Sequence, residues 1–203
     1  VLFQLSACLL LFKLCYQYLL CRADCQVSVS SVLHVAEHVE RWSFYLTVKP
    51  TDIFPLLRNP SVFNDLIDLL FDAIKESSPV TECIVGLESR GFLFGPVLAQ
   101  KLGVPFVPIR KKGKLPGEIV AVTYQLEYGS DTFEAQKGSV QPGQKVVIVD
   151  DLLATGGTMK AACDLVEQLG AQVNLCLIII ELVDLEGRKK VPKPLKTLIS
   201  FKD

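Results

Sequence analysis

Asp150 and Asp151 stand side by side, and Thr155, Gly156, Gly157 and Thr158 follow a short way on. Ionised carboxylates only accept hydrogen bonds, so an adjacent pair suits a ligand that carries neighbouring hydroxyls. The glycines let backbone amides approach an anion, and the two threonines add hydroxyl donors. A helix that begins there turns its free amides and the positive end of its dipole toward the same anion. Arg90, in Glu88-Ser89-Arg90-Gly91, could grip a second phosphate through charge-assisted bonds. Arg110, Lys111, Lys112 and Lys114 form a dense cationic cluster that reads as an anion clamp beside such a ligand. A P-loop requires Gly-Lys-Ser/Thr and a dinucleotide loop requires G-x-G-x-x-G, and neither occurs at this site.

The elements around these residues suit the same chemistry. Val146-Val147-Ile148-Val149 is a continuous apolar, mostly β-branched run, as expected of a strand buried on both faces of a parallel sheet. Its acids therefore fall at the carboxyl edge, where open α/β sheets bind ligands. Vicinal hydroxyls beside a phosphate describe a ribose 5-phosphate. Upstream, Asn59 is expected to cap a helix with Pro60 at its first position, and apolar residues from Val62 to Ile74 recur at helical spacing through about Ser77. Ile84–Leu87 reads as a strand, Glu88–Gly91 as the turn into a helix ending near Gly103, and Pro105–Ile109 as the next strand. Gly113 to Gly129, punctuated by glycine and proline, reads as a loop that folds over the site and excludes water. On its own pattern Glu127 in that loop reads as an exposed loop glutamate. Thr155–Leu169 reads as a helix capped by Gly170, Val173–Leu182 as a buried strand, and the segment after Pro194 as a terminal strand. Arg188, Lys189 and Lys190 read as ordinary surface charges far from the phosphate loop.

A chain of 203 residues is enough for one α/β domain with a sizeable core. Its formal net charge of -1 argues against a nucleic-acid surface, which would carry a basic excess. Cys83, Cys163 and Cys176 lie singly in apolar segments, as reduced buried thiols of a cytoplasmic protein would. Val1–Cys25 is rich in Leu, Phe and Cys but is interrupted by Gln4, Ser6, Lys13 and Gln17. It admits a targeting segment, a packing arm or an aberrant terminus, and the last is the expectation. His34, Glu37 and His38 spell H-x-x-E-H, yet the flanking valines and leucine make a short polar helical face the simpler reading. No metal-ligand set is assigned in the chain, and the domain of interest, expected to bind no membrane, is placed at residues 49–203 behind an atypical segment 1–48.

Four phrases resemble the phosphoribosyltransferases that act on adenine, in order and at their spacing. They are Gly86–Pro96, Arg110–Gly117, Tyr124–Gly129 and Val149–Met159. The resemblance implies a type I phosphoribosyltransferase-like fold, a twisted, mainly parallel sheet of five strands flanked by helices, with a small amino-terminal hood. It implies transfer of ribose 5-phosphate from phosphoribosyl pyrophosphate to N9 of adenine, giving AMP and pyrophosphate, with Mg²⁺ carried by the pyrophosphate and a homodimer as the working form. Asp150 and Asp151 would hold the ribose, Ala154, Thr155, Gly156, Gly157 and Thr158 the 5-phosphate, and Arg90 the pyrophosphate. Lys114 would join the anion clamp, and Arg110 would reach a neighbouring subunit's site. Glu127 would be the catalytic-loop acid, and Val48 and Leu152 the base contacts. One phrase departs: ahead of Asp52 the family usually has Pro-Gly-Val-aliphatic-Phe-Arg, whereas Thr51 stands here in the arginine position. That keeps open a phosphoribosyl-binding protein with weak catalysis, or a transferase for another purine base.

Overall fold

The computed structural model describes residues 52–125 and 129–202. The chain divides into two compact units, one ending at Asp72 and the other beginning at Ala73. The described part of the first unit holds helix α1 (Phe54–Leu57) and most of α2 (Pro60–Ser77), which continues across the boundary. The Asp52 carboxylate accepts the Phe54 amide at 3.0 Å, which starts α1. Asn59 Oδ1 accepts the amides of Ser61 and Val62 at 3.1 and 3.4 Å, so it caps α2 as its place before Pro60 predicts. Val62, Leu66, Leu70 and Ile74 are fully buried along one stripe of that helix.

The second unit is a seven-stranded sheet. Its strands are β1 (Cys83–Leu87), β2 (Phe106–Lys111), β3 (Ile119–Gln125), β4 (Ser130–Gln136), β5 (Lys145–Leu153), β6 (Gln172–Leu182) and β7 (Leu195–Phe201). They lie in the order β3-β4-β2-β1-β5-β6-β7. The five strands from β2 to β7 pair in parallel, and the β3–β4 hairpin joins antiparallel along β2. The expected five strands are therefore the parallel part of a larger sheet. The correction lies in Ile119–Gln125, where alternating half-buried and exposed residues form a strand inside what reads as a loop. Val120, Val122 and Tyr124 turn toward the core, which gives the hairpin a reason to pair rather than remain free.

Helix α3 (Gly91–Leu102) connects β1 to β2, and α4 (Gly157–Gln168) connects β5 to β6. β1 leads toward one edge of the sheet and β5 toward the other. Right-handed crossovers in opposite directions place the two helices on opposite faces. Strand alternation agrees with this. Val85, Val146 and Ile148 cluster with Ala162, Cys163 and Val166 of α4. The interleaved Ile84, Val147 and Val149, and Phe94 and Leu98 of α3, are also fully buried. The strand order thus reverses between β1 and β5, and the carboxyl ends of these two strands open a crevice. Among the described residues no helix is long and apolar enough to cross a membrane.

Candidate functional site at the strand switch point

A cavity of about 290 Å³ occupies that crevice. The turn after β1 supplies Glu88, Ser89 and Arg90, the end of β5 and the loop behind it supply Asp150 to Gly156, and α4 supplies Thr158 and Met159. Close approach of α3 to β5 brings the two sides together: a Cβ on Gly91 would sit 2.5 Å from the Val149 carbonyl oxygen. Any larger residue there would push Arg90 away from the acids.

Asp151 is 2% exposed, and its neighbour Asp150 is half-buried. The Asp151 amide donates to Asp150 Oδ1 at 3.0 Å, which fixes the first carboxylate against the chain. Arg90 Nε lies 3.0 Å from Asp151 Oδ2. That contact supplies counter-charge but no aligned hydrogen bond, and Oδ2 receives none from the described residues. Asp151 lines the cavity, and a buried carboxylate oxygen that accepts no hydrogen bond keeps capacity for a ligand's hydroxyl. Burial, followed by the charge on Asp151, holds Asp150 well above the ordinary carboxylate range. Burial raises Asp151 too, against the pull of Arg90. The pair is therefore poised to gain from any donor that stabilises its charged form.

Gly156 has φ +79° and leads into α4 at Gly157, two residues later than Thr155, where the sequence suggests the helix begins. Gly156 to Thr158 thus carry the amides of a first helical turn, which have no acceptor within the helix, beside the cavity. Ala154, Thr155, Gly156 and Thr158 line it, as does Leu152. Gly157 is in the loop but not in the wall.

The cationic cluster divides. Arg110 makes a two-pronged contact with Glu88, Nε to Oε2 and Nη2 to Oε1 each at 3.1 Å, and donates to the Lys114 carbonyl at 3.1 Å. Lys114 Nζ lies 3.6 Å from Glu88 Oε1. Burial works upward on the Glu88 carboxyl, but the hydrogen bonds from Arg110 and the Lys111 amide outweigh it and leave its pKa lowered. Arg110 and Lys114 therefore brace the β1 turn, while Lys111 is the member of the cluster that lines the cavity. Its ammonium pairs with Asp131 at 3.1 Å.

Tyr124, Asp131 and Phe133 complete the wall from the hairpin, and reading the sequence alone does not single them out. Burial and the Asp131 charge push the Tyr124 phenol up to about 12, and its hydroxyl lies in hydrogen-bonding reach of Thr158 and Asp131. The signal was the alternation of Val120, Val122 and Tyr124, which sets Tyr124 on the inward face. Glu127 and Val48, the expected acid and base contact, lie outside the described residues, as do Thr51 and H-x-x-E-H.

The comparisons with known proteins agree with this geometry. The family described as phosphoribosyl transferase domain matches residues 55–202. An adenine phosphoribosyltransferase of Drosophila pseudoobscura pseudoobscura is 57% identical over 74% of this chain and 83% of its own length. The mouse enzyme of that name is 54% identical over 74% of this chain and 84% of its own. The crystal structure of adenine phosphoribosyltransferase from Saccharomyces cerevisiae, complexed with D-2,5-dideoxy-2,5-imino-altritol 1,6-bisphosphate and adenine, superposes with a TM-score of 0.71 at 52% identity, over 72% of this chain and 85% of that one. With its switch-point cavity, buried acids and glycine loop, the chain belongs to the phosphoribosyltransferase family, among the adenine phosphoribosyltransferases.

Proposed function

We propose that this chain transfers ribose 5-phosphate from phosphoribosyl pyrophosphate to adenine, a purine-salvage reaction. The bond from C1 of the ribose to pyrophosphate breaks, a bond from C1 to N9 forms, N9 gives up its proton, and AMP and pyrophosphate leave. The observation that carries this reading is the buried acidic pair, with Asp151 Oδ2 unsatisfied, set directly ahead of a glycine loop and a helix start. Asp150 and Asp151 accept the ribose hydroxyls, and the loop from Ala154 to Thr158 takes the 5-phosphate. With both ends of the sugar phosphate held, C1 faces the turn carrying Arg90, whose guanidinium receives the departing pyrophosphate.

Charge on the sugar ring grows as that bond lengthens. The acids then stabilise a cationic ring better than the neutral ground state, which is where catalysis gains. Glu127, in the sequence between β3 and β4, is the acid assigned to the closing loop, and Leu152 and Val48 are assigned to the base. Mg²⁺ is usually held by one or two carboxylates together with substrate phosphates, and Asp150 and Asp151, both in the cavity wall, are the carboxylates that would meet a cation arriving on the pyrophosphate. When bound it neutralises the leaving group.

The domain is assigned to residues 49–203, and Arg110 to a neighbouring subunit of a homodimer. The free, buried Cys83, Cys163 and Cys176 suit a reducing, cytoplasmic setting. The test is AMP formation from radiolabelled adenine and phosphoribosyl pyrophosphate in Mg²⁺. Tight phosphoribosyl pyrophosphate binding without AMP would leave only a binding protein, and AMP formation replaced by turnover of another purine would change the base.

A further inference from the structure

The segment after β6 holds two short 3₁₀ turns, Val183–Leu185 and Gly187–Lys190, joined by Glu186 at φ +50°. Contrary to the expectation from sequence, this segment is not remote from the phosphate loop. A Cβ on Gly156 would stand 2.2 Å from the Gly187 carbonyl oxygen, and a Cβ on Gly187 would stand 2.0 Å from the Ala154 carbonyl oxygen and 2.9 Å from the Gly156 nitrogen. The two backbones touch with no side chain between them, and each glycine is required by the other's presence.

Gly187 is itself anchored. Arg188 donates to both oxygens of Glu181, Nε to Oε1 at 2.9 Å and Nη2 to Oε2 at 2.5 Å. It also reaches the Leu195 carbonyl at 3.0 Å and Thr197 Oγ1 at 3.2 Å, both on β7. Glu181 is 6% exposed and stands in register with Leu153, the last residue of β5 before the loop. Thr197 donates to the same carboxylate at 3.1 Å. A planar fork on a buried carboxylate is a rigid tether, unlike the contacts expected of surface lysines. Lys189 by contrast pairs only with the exposed Glu186 among the described contacts.

We propose that Gly187, seated by the Arg188–Glu181 tether, is a positioning residue for the phosphate site: it backs the turn from Ala154 to Gly156 and sets the curvature that makes the loop's amides converge on the 5-phosphate. This rests on the phosphoribosyl reading of the cavity and adds a determinant behind the loop, on an element that lines no part of the cavity. Among the described contacts the tether reaches Leu195 and Thr197 and not the acids, so its effect falls on the phosphate end of the substrate.

The test compares the two ends. Ribose 5-phosphate and Mg²⁺-pyrophosphate are titrated calorimetrically into the full chain and into Gly187→Ala. The expected result is at least a tenfold weaker Kd for ribose 5-phosphate, with pyrophosphate within about twofold, and a raised KM for phosphoribosyl pyrophosphate at nearly unchanged kcat. Arg188→Lys, which keeps the charge but loses the fork, should move ribose 5-phosphate affinity in the same direction by about threefold, and it carries the comparison if Gly187→Ala does not fold. Equal losses at both ends would reduce the tether to general packing and overturn the proposal, as would unchanged ribose 5-phosphate binding. Adenine turnover by the unmodified chain is measured separately. A chain that binds ribose 5-phosphate but does not use adenine would sink the assigned reaction while the ratio between variants still decides the role of Gly187; a chain that binds no ribose 5-phosphate overturns both.

Discussion

Replacing both acids, Asp150→Asn with Asp151→Asn, should weaken phosphoribosyl pyrophosphate binding and stabilise the unliganded protein. Asparagine keeps an acceptor oxygen, so what is lost is the difference between a charged and a neutral hydrogen bond, about 1 to 1.5 kcal/mol at each position. Two positions give about 2 to 3 kcal/mol, or roughly 30- to 140-fold in Kd. Stability should move the other way. Both carboxyls have raised pKa values in the folded chain because burial penalises their charge. An acid raised on folding contributes stability that is fully present below its unfolded pKa and is lost as pH rises through its folded pKa. Near pH 7 the free protein therefore carries this burden, and the neutral amides relieve it. Each kcal/mol relieved should raise Tm by about 2 to 4 °C in a chain of this size, and the gain should shrink as the pH is lowered toward the ordinary carboxylate pKa near 4. Calorimetric titration in Mg²⁺ and scanning calorimetry at two pH values read both effects. Unchanged affinity in a folded variant, or a lower Tm near pH 7, would refute the reasoning.

Three further outcomes follow from the site. Glu127→Ala should lower turnover far more than it weakens phosphoribosyl pyrophosphate binding, since a closing-loop acid acts after the substrate is held; equal losses in kcat and affinity would move the role elsewhere. Tyr124→Phe removes the hydroxyl near Thr158 and Asp131, and should cost about 0.5 to 1.5 kcal/mol, roughly 2- to 12-fold, in ribose 5-phosphate affinity by titration. Replacing residues 1–51 with the usual family terminus, which restores arginine at Thr51, should lower the adenine KM while leaving phosphoribosyl pyrophosphate affinity in place, and equal efficiency of the two chains would show the departure to be neutral.

The phosphate end of the site is legible because its chemistry is contiguous. Strand, acids, glycines and helix start occupy Val146 to Thr158 without interruption, so local pattern and tertiary placement say the same thing. The hairpin wall is less legible for a physical reason. β3 has only one half-buried face, and its alternation is short and bounded by Gly113, Pro116, Gly117 and Gly129, so turn signals outweigh strand signals in a linear reading. The basic cluster misleads differently. Four neighbouring cations look equivalent in sequence, but alternation along the end of β2 and pairing with Glu88 send Arg110 and Lys114 to the β1 turn and leave Lys111 at the cavity.

Arg188 shows what no local pattern can supply. Its significance depends on Glu181 at the end of β6, on β7 arriving alongside, and on the parallel register that sets Glu181 opposite Leu153. Those relations exist only once β5, β6 and β7 have paired. The same pairing decides where the acids point, because the residues ahead of Asp150 are held between β1 and β6 on both sides. A sheet so fully bonded cannot relax to solvate its own carboxylates, and their discomfort in the free protein is a consequence of the rigidity that aims them. The rigid acid side and the tether behind the loop both come from the parallel strands, whereas the facing wall of Tyr124, Asp131 and Phe133 comes from the antiparallel β3–β4 hairpin at the sheet edge. In the proposed reaction the central parallel strands carry the residues assigned to the sugar phosphate, and the chain between β3 and β4 carries the assigned acid, Glu127.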